Sequence, residues 1–318
     1  MKRHAMRACA VLCSVLLAAC SATDFSPPAQ AFSQAVTEGG RLVEAYGQER
    51  AETNFALRRA AIAQRADQVV VRGADCRVGA PPAGCVVRLG PGRAPVGRAG
   101  PAARPGELAG ALDRYADSLA AVASASTEAD LDAASQRLAS ALTSLANAVP
   151  QAQGATALVD PGAGIVSSIG GLALQQRRFA LLRNAINAAD PVVETASGEL
   201  AAVVAGQREA AADDRAALIA RLAALYNAME PRGGIEGAAA AANREVLLTR
   251  ISDLTAAQRR LLAEDPTPDL RALGQAHAAL RRGVNDPAPP IAQLANDIKR
   301  LSDRLRRAAD TAMRLPPG

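Results

Sequence analysis

Tryptophan is absent from this 318-residue chain, and aromatic residues of all kinds make up 2% of it. Base-stacking platforms need exposed aromatic faces, so nucleic acid is not an expected partner. The same scarcity argues against a carbohydrate cleft built on stacked rings. Lysine is confined to Lys2 and Lys299, and histidine to His4 and His277. The other basic positions are arginine, which a GC-rich genome explains more simply than selection for phosphate-binding forks. No H-E-x-x-H, G-x-S-x-G or paired C-x-x-C is present. Gly92–Gly97 has the glycine spacing of a phosphate loop, but Arg98 and Ala99 stand where that motif needs Lys and Ser or Thr. No cofactor, no metal site and no enzymatic activity are expected from these residues.

Long apolar runs are also missing. Ala8–Ala19 is uncharged over 12 residues, and Ile165–Leu174 over ten. A spanning helix needs ~20 apolar residues, so neither is long enough. The first run follows Lys2, Arg3 and Arg7 and ends in Leu17-Ala18-Ala19-Cys20, and the chain turns polar at Ser21. A basic start, a short apolar run and small residues make an export signal. Leu17-Ala18-Ala19-Cys20 resembles the lipobox of bacterial lipoproteins. The resemblance covers the first 21 residues and implies cleavage before Cys20 and lipidation of Cys20. Three acyl chains exceed the two signals that stable anchoring requires. Ser21, rather than Asp, after the cysteine implies sorting to the outer membrane, facing the periplasm. The expected partners are thus the membrane, through the lipid on Cys20, and an envelope protein.

Loss of Lys2, Arg3 and Arg7 with the signal lowers the formal charge from +5 to +2. Cys9 and Cys13 would leave with it, and lipidation would occupy Cys20. Cys76 and Cys85 remain, in a compartment where disulfides persist. They flank Pro81, Pro82 and Gly84, which favour a chain reversal. A disulfide between them is expected; two free thiols are the alternative.

That pair lies within Gly73–Gly106, which holds eight glycines, six prolines, five arginines and one aspartate. No helix continues through such a composition. Val69–Val71 and Val86-Val87 are β-branched and could pair as a small hairpin. Arg77, Arg88, Arg93, Arg98 and Arg104 could meet anionic lipid heads or a partner; a solvated linker is the plainer reading.

Elsewhere the apolar residues recur at helical spacing. A tether over 20–29 leads to a helix over about Gln30–Val71, with Phe32, Val36, Gly39, Val43, Tyr46, Phe55 and Ile62 inward. Gly39-Gly40 and Gly47 mark a bend or a close crossing. Leu108, Leu112, Tyr115, Leu119 and Val122 form the next stripe. Thr127 reads as an N-cap with Asp130 at the third helical position, opening a helix that ends at Pro150. A short connection makes these two an antiparallel hairpin. After a linker over 150–161, a helix over Gly162–Ala188 is expected. Asp190-Pro191 reads as the cap and first residue of another, running to about Glu230. Ile235–Ala263, a helix from Thr267 carrying His277, and a last helix from Pro290 complete the set. The last face carries Ile291, Leu294, Ile298, Leu301, Leu305, Ala308 and Ala312, with pairs expected at Asp297–Arg300 and Asp303–Arg307.

The fold expected is all-α: an elongated antiparallel bundle of about seven or eight helices, with one disulfide-closed loop or small β-hairpin. The organisation is signal 1–19, tether 20–29, helical region 30–149 with the insertion 73–106, linker 150–161 and bundle 162–315. Gln176, Gln207 and Asp214 interrupt apolar stripes, as a polar register layer or as the lining of a ligand cavity. His277, between Leu273 and Leu280, reads as a hydrogen-bonded core histidine before it reads as a base. The function expected is a non-enzymatic, lipid-anchored envelope scaffold or partner-binding module; a periplasmic ligand-binding or sensor bundle is the alternative.

Overall fold

The computed structural model describes residues 24–65, 69–72, 86–89, 103–149, 173–229, 234–286 and 291–314. The protein is an all-α helical bundle. Among the described residues there are seven helices: α1 Ser26–Arg65, α2 Ala103–Ser124, α3 Glu128–Ala148, α4 Leu174–Ala228, α5 Gly234–Ala263, α6 Thr267–Asn285 and α7 Ile291–Met313. Two short strands, β1 Val69–Arg72 and β2 Val86–Leu89, pair antiparallel with Val69 opposite Leu89 and Arg72 opposite Val86.

The chain separates into two compact units. Unit 1 is built from residues up to Gln34, Ala111–Val193 and Gln275–Arg300; unit 2 from Ala35–Gly110, Glu194–Gly274 and residues from Leu301 onward.

Within unit 1, Phe32, Leu112, Leu119, Leu131, Leu145 and Ile186 are fully buried. α1 opens earlier than the tether expected over 20–29 allows. Pro27 and Pro28 sit in its first turn, where a missing N–H costs nothing because it has no intrahelical acceptor. Asp24 Oδ1 accepts from the Ser26 N–H at 3.0 Å. α6 begins with the same device: Asp265 Oδ1 accepts from the Thr267 N–H at 3.1 Å, ahead of Pro268. Thr127 caps α3, its hydroxyl oxygen accepting from the Asp130 N–H at 3.1 Å.

The break expected at Asp190-Pro191 does not occur. α4 runs for 55 residues with Pro191 inside it. An interior proline removes one backbone bond and crowds the preceding turn, at about 3 kcal/mol. Burial of Ala189, Val192 and Val193 and the side-chain bonds of Asp190 offset this. Asp190 is therefore a tertiary ligand and not a cap.

Within unit 2, Leu42, Val204, Leu270, Leu273 and Leu305 are buried. The close crossing expected near Gly39-Gly40 is present: a Cβ on Gly39 would lie 3.0 Å from Leu273 Cδ1. A tighter one, at Gly274, has no counterpart in the sequence reading. A Cβ there would lie 2.7 Å from Ser197 Oγ and 3.2 Å from Glu194 Cα. α1 runs parallel to α4 here, with Gly47 beside Gln207 and Asn54 bonded to Asp214. α5 returns antiparallel to α4, since Gln258 donates to Ala212 and Arg208 to Leu261.

The helix expected to reach Val71 gives way to β1, because three consecutive valines favour an extended backbone. Past Gly47 the buried face of α1 also departs from expectation. Phe55 is only half-buried, under the Arg59 guanidinium, whereas Glu49, Thr53, Ala56 and Ala60 are buried. Ala56, Ala60, Leu218 and Leu254 form a small separate core. On α7, Ala309 is buried where Ala308 was expected. Arg300 pairs with Asp297 as expected, but Asp303 pairs with Arg306 and not Arg307. Arg304 reaches Asp269 on α6 at 2.7 Å.

Candidate functional site

His277 sits at the centre of unit 1 and is fully buried. Its Nε2 lies 2.8 Å from the Tyr115 hydroxyl and its Nδ1 3.0 Å from Asp190 Oδ1. Arg281 Nη1 lies 2.8 Å from Asp190 Oδ2. The Phe32 ring packs at 5.4 Å from the imidazole. One tautomer satisfies the set: Nδ1–H donates to the ionised Asp190, and Nε2 accepts from the Tyr115 O–H. Burial lowers the His277 pKa, against the opposing pull of Asp190. The His277 hydrogen bond holds the Asp190 carboxyl below its ordinary value. Burial pushes the Tyr115 hydroxyl well up.

The order Tyr-His-Asp resembles a proton relay, but Tyr115 and His277 both have 0% exposure. A general base needs its proton donor within reach, and a substrate could not reach this ring. The cluster is a cross-brace between α2, α4 and α6.

Unit 2 holds a polar cluster of a different kind. Arg215 is fully buried and its Nη2 donates to Glu49 Oε1. Thr53 Oγ1 donates to the same carboxylate oxygen at 2.9 Å. Among the described residues, Arg215 Nε and Nη1 meet no partner, and neither does Gln207 Oε1. Burial pushes the Glu49 carboxyl up and the Arg215 guanidinium down, while each partner opposes the other's shift. Arg215 went unnoticed in the sequence because the apolar stripe was read through leucine and valine. Counting alanine reveals it: Ala211, Arg215 and Leu218 are spaced by four and three, on one face.

Of the three polar interruptions, Gln207 is buried beside Gly47, Asp214 is half-buried and accepts from Asn54 at 3.3 Å, and Gln176 is exposed. Gln176 therefore lines no interior cavity. Cys20, Cys76, Cys85, Arg77, Arg93 and Arg98 lie outside the described residues, as do Gly170 and Gly171. Arg88 falls on β2, at the position paired with Val70, and Arg104 falls in the first turn of α2.

Two surface features remain. A cleft of about 300 Å³ between α2 and α3 in unit 1 is lined by Arg114, Asp117, Ser118, Arg137, Ser140, Ala141 and Ser144. On α5 in unit 2, Val246 is 67% exposed, Leu248 48% and Leu262 58%. Leu254, Ala257 and Leu261 make the buried stripe of that helix. At ~100° per residue, Leu248 and Leu262 fall about 40° from one another on a face turned away from this stripe, and Val246 lies on the stripe's other side. Leu248 and Leu262 thus form a second apolar strip on α5, separate from its buried stripe. Among the described residues, no group of three or more His, Cys, Asp or Glu is placed to hold a metal ion, and no helix is long and apolar enough to cross a membrane.

The fold and these surfaces define a helical bundle with buried polar braces and an uncovered apolar helix flank. Comparison of the chain with protein-family models, curated proteins and solved structures gives no match.

Proposed function

We propose that this protein is a non-enzymatic helical scaffold of the cell envelope, held at the periplasmic face of the outer membrane by lipid on Cys20. The observation that carries the partner-binding part is the α5 flank. Leu248 and Leu262 leave large apolar side chains in solvent along one side of a helix that already has a packed stripe. Apolar surface in water is unfavourable by about 25 cal/mol per Å², and a helical partner laid along the flank removes that exposure. The anchor rests on the lipobox resemblance. On this reading Cys76 and Cys85 form a disulfide beyond the β1–β2 pairing.

Fractionation of the native envelope tests the anchor: the wild type stays with membranes and Cys20→Ala is released. Photocrosslinkers at Leu248 and Leu262 test the partner. Both should capture one recurrent protein, and a crosslinker at exposed Arg306 should not. Equal capture from all three positions, or none from any, sinks the partner reading. Thiol labelling of the unreduced exported protein tests the disulfide, which requires that Cys76 and Cys85 both resist the reagent.

A further inference from the structure

We propose that the α2–α3 cleft of unit 1 is a binding site for a phosphate-type oxyanion. α2 contributes Arg114, Asp117 and Ser118 at helical spacings of three and four. α3 contributes Arg137, Ser140, Ala141 and Ser144 at the same spacings. Small residues along the floor keep the helices close while leaving a concave surface of about 300 Å³, at the lower end of small-ligand sites.

Two arginines and one acid set the charge of this cleft. Several described arginines are answered by carboxylates: Arg41 by Glu38, Arg177 by Asp132, Arg281 by Asp190, Arg304 by Asp269. Arg114 and Arg137 meet no carboxylate within 4.0 Å among the described residues; Arg137 makes only a long bond to the Ala133 carbonyl at 3.4 Å. The one acid in the cleft, Asp117, is engaged from its own side by the Ser33 hydroxyl at 2.5 Å. Two guanidinium groups thus line one concavity with a single carboxylate, leaving it one positive charge in excess.

The hydroxyls add donors. Ser144 donates back to the Ser140 carbonyl at 3.0 Å. The Ser118 and Ser140 hydroxyls are engaged by no described group, and Ser118 is 9% exposed. Guanidinium forks match phosphate oxygens in a bidentate way. A tetrahedral phosphate presents more acceptor oxygens to two arginines and two hydroxyls than the two oxygens of a carboxylate. The excess of one positive charge fits a monoanionic phosphate, either free or as the diester of a phospholipid head.

The test uses the full mature chain carrying Cys20→Ala, so that no acyl chain reports. Inorganic phosphate is titrated calorimetrically against chloride at matched ionic strength. In parallel, flotation is measured with phosphatidylglycerol vesicles and with phosphatidylcholine vesicles. Both are repeated with Arg114→Gln/Arg137→Gln and with Arg300→Gln/Arg306→Gln, which removes equal charge elsewhere. Circular dichroism checks that each variant is folded. The expected result is binding in one or both arms that weakens at least tenfold in the cleft variant and is kept in the control. Binding of phosphate identifies a free ligand; flotation only with phosphatidylglycerol identifies a lipid head. No binding in either arm, or equal loss in the two double variants, overturns the proposal.

Discussion

The buried clusters of the two units solve the same problem with different success. In unit 1, His277 is neutral and both its ring nitrogens are paired, and the charge is carried at the edge by Asp190 and half-exposed Arg281. In unit 2, a full charge pair, Glu49–Arg215, is buried and two guanidinium nitrogens meet no partner among the described residues. A satisfied polar network specifies a single packing, whereas a buried ion pair adds little stability over an apolar replacement. His277 therefore fixes the register of its unit at small cost, and Arg215 leaves its unit open to improvement.

The sharpest way to break this contrast is at Arg215. Arg215→Met leaves Glu49 buried without its cation and should cost about 3–5 kcal/mol by urea denaturation. Glu49→Leu/Arg215→Met should restore wild-type stability or exceed it; a double variant as unstable as the single one would show that the pair is a net stabiliser.

His277→Leu leaves the Tyr115 hydroxyl and one Asp190 oxygen unpaired, and should cost about 2–3 kcal/mol. No apolar replacement of this ring should regain the loss unless Tyr115 and Asp190 are changed with it. Comparing the Glu49/Arg215 double variant with a His277/Tyr115/Asp190 triple variant reads out that asymmetry.

Acid sharpens the comparison further. The His277 pKa is lowered in the folded state by burial, so below its ordinary value near 6.5 the unfolded chain binds the extra proton. Stability is full above that pH and falls as the pH drops toward the folded value, by at most about 1.4 kcal/mol per pH unit for one proton. Asp190, also lowered, adds a loss of the same sign at more acid pH. Tyr115, Asp190, Arg281 and Phe32 are the groups that face the ring. Denaturation at pH 7.5, 6.5 and 5.5 should show a slope in wild type that His277→Leu abolishes over this range.

Local features should matter less than either cluster. Thr127→Ala removes the α3 cap and should cost about 1 kcal/mol. Arg306→Ala removes an exposed pair with Asp303 and should change stability by less than about 0.5 kcal/mol.

Features governed by near neighbours were legible in the sequence. The Thr127 cap, the Asp297–Arg300 pair and the inward face of α7 through Leu301 and Leu305 depend on residues three or four apart, the start of α6 at Thr267 on Asp265 two residues before it, and the α2–α3 hairpin on the short connection from Ser124 to Glu128. What escaped depends on distant segments. Pro191 reads as a helix start until His277 and Arg281, some 90 positions later, claim the carboxylate that would have capped it. Glu49 and Thr53 read as solvent face until Arg215 arrives from α4. Gly274 looks like an ordinary helical glycine until Ser197 is brought against it. At the site, His277 was rightly placed in the core, but its partners Tyr115 and Asp190 carry no local signature. Arg114 and Arg137 lie on separate helices, and only the hairpin makes them neighbours.

The pairing of α1 with α4 also bears on the order of assembly. Glu49 and Arg215 are 166 positions apart, Asn54 and Asp214 160. Hairpins such as α2–α3 close short loops and can form in microseconds, while α1 must wait until the chain beyond residue 215 has been made and brought back. Large contact order slows folding whatever the secondary structure. An all-helical protein that folds at the pace of a β-sandwich, with α1 the last segment to gain protection from amide exchange, is the kinetic signature of this topology.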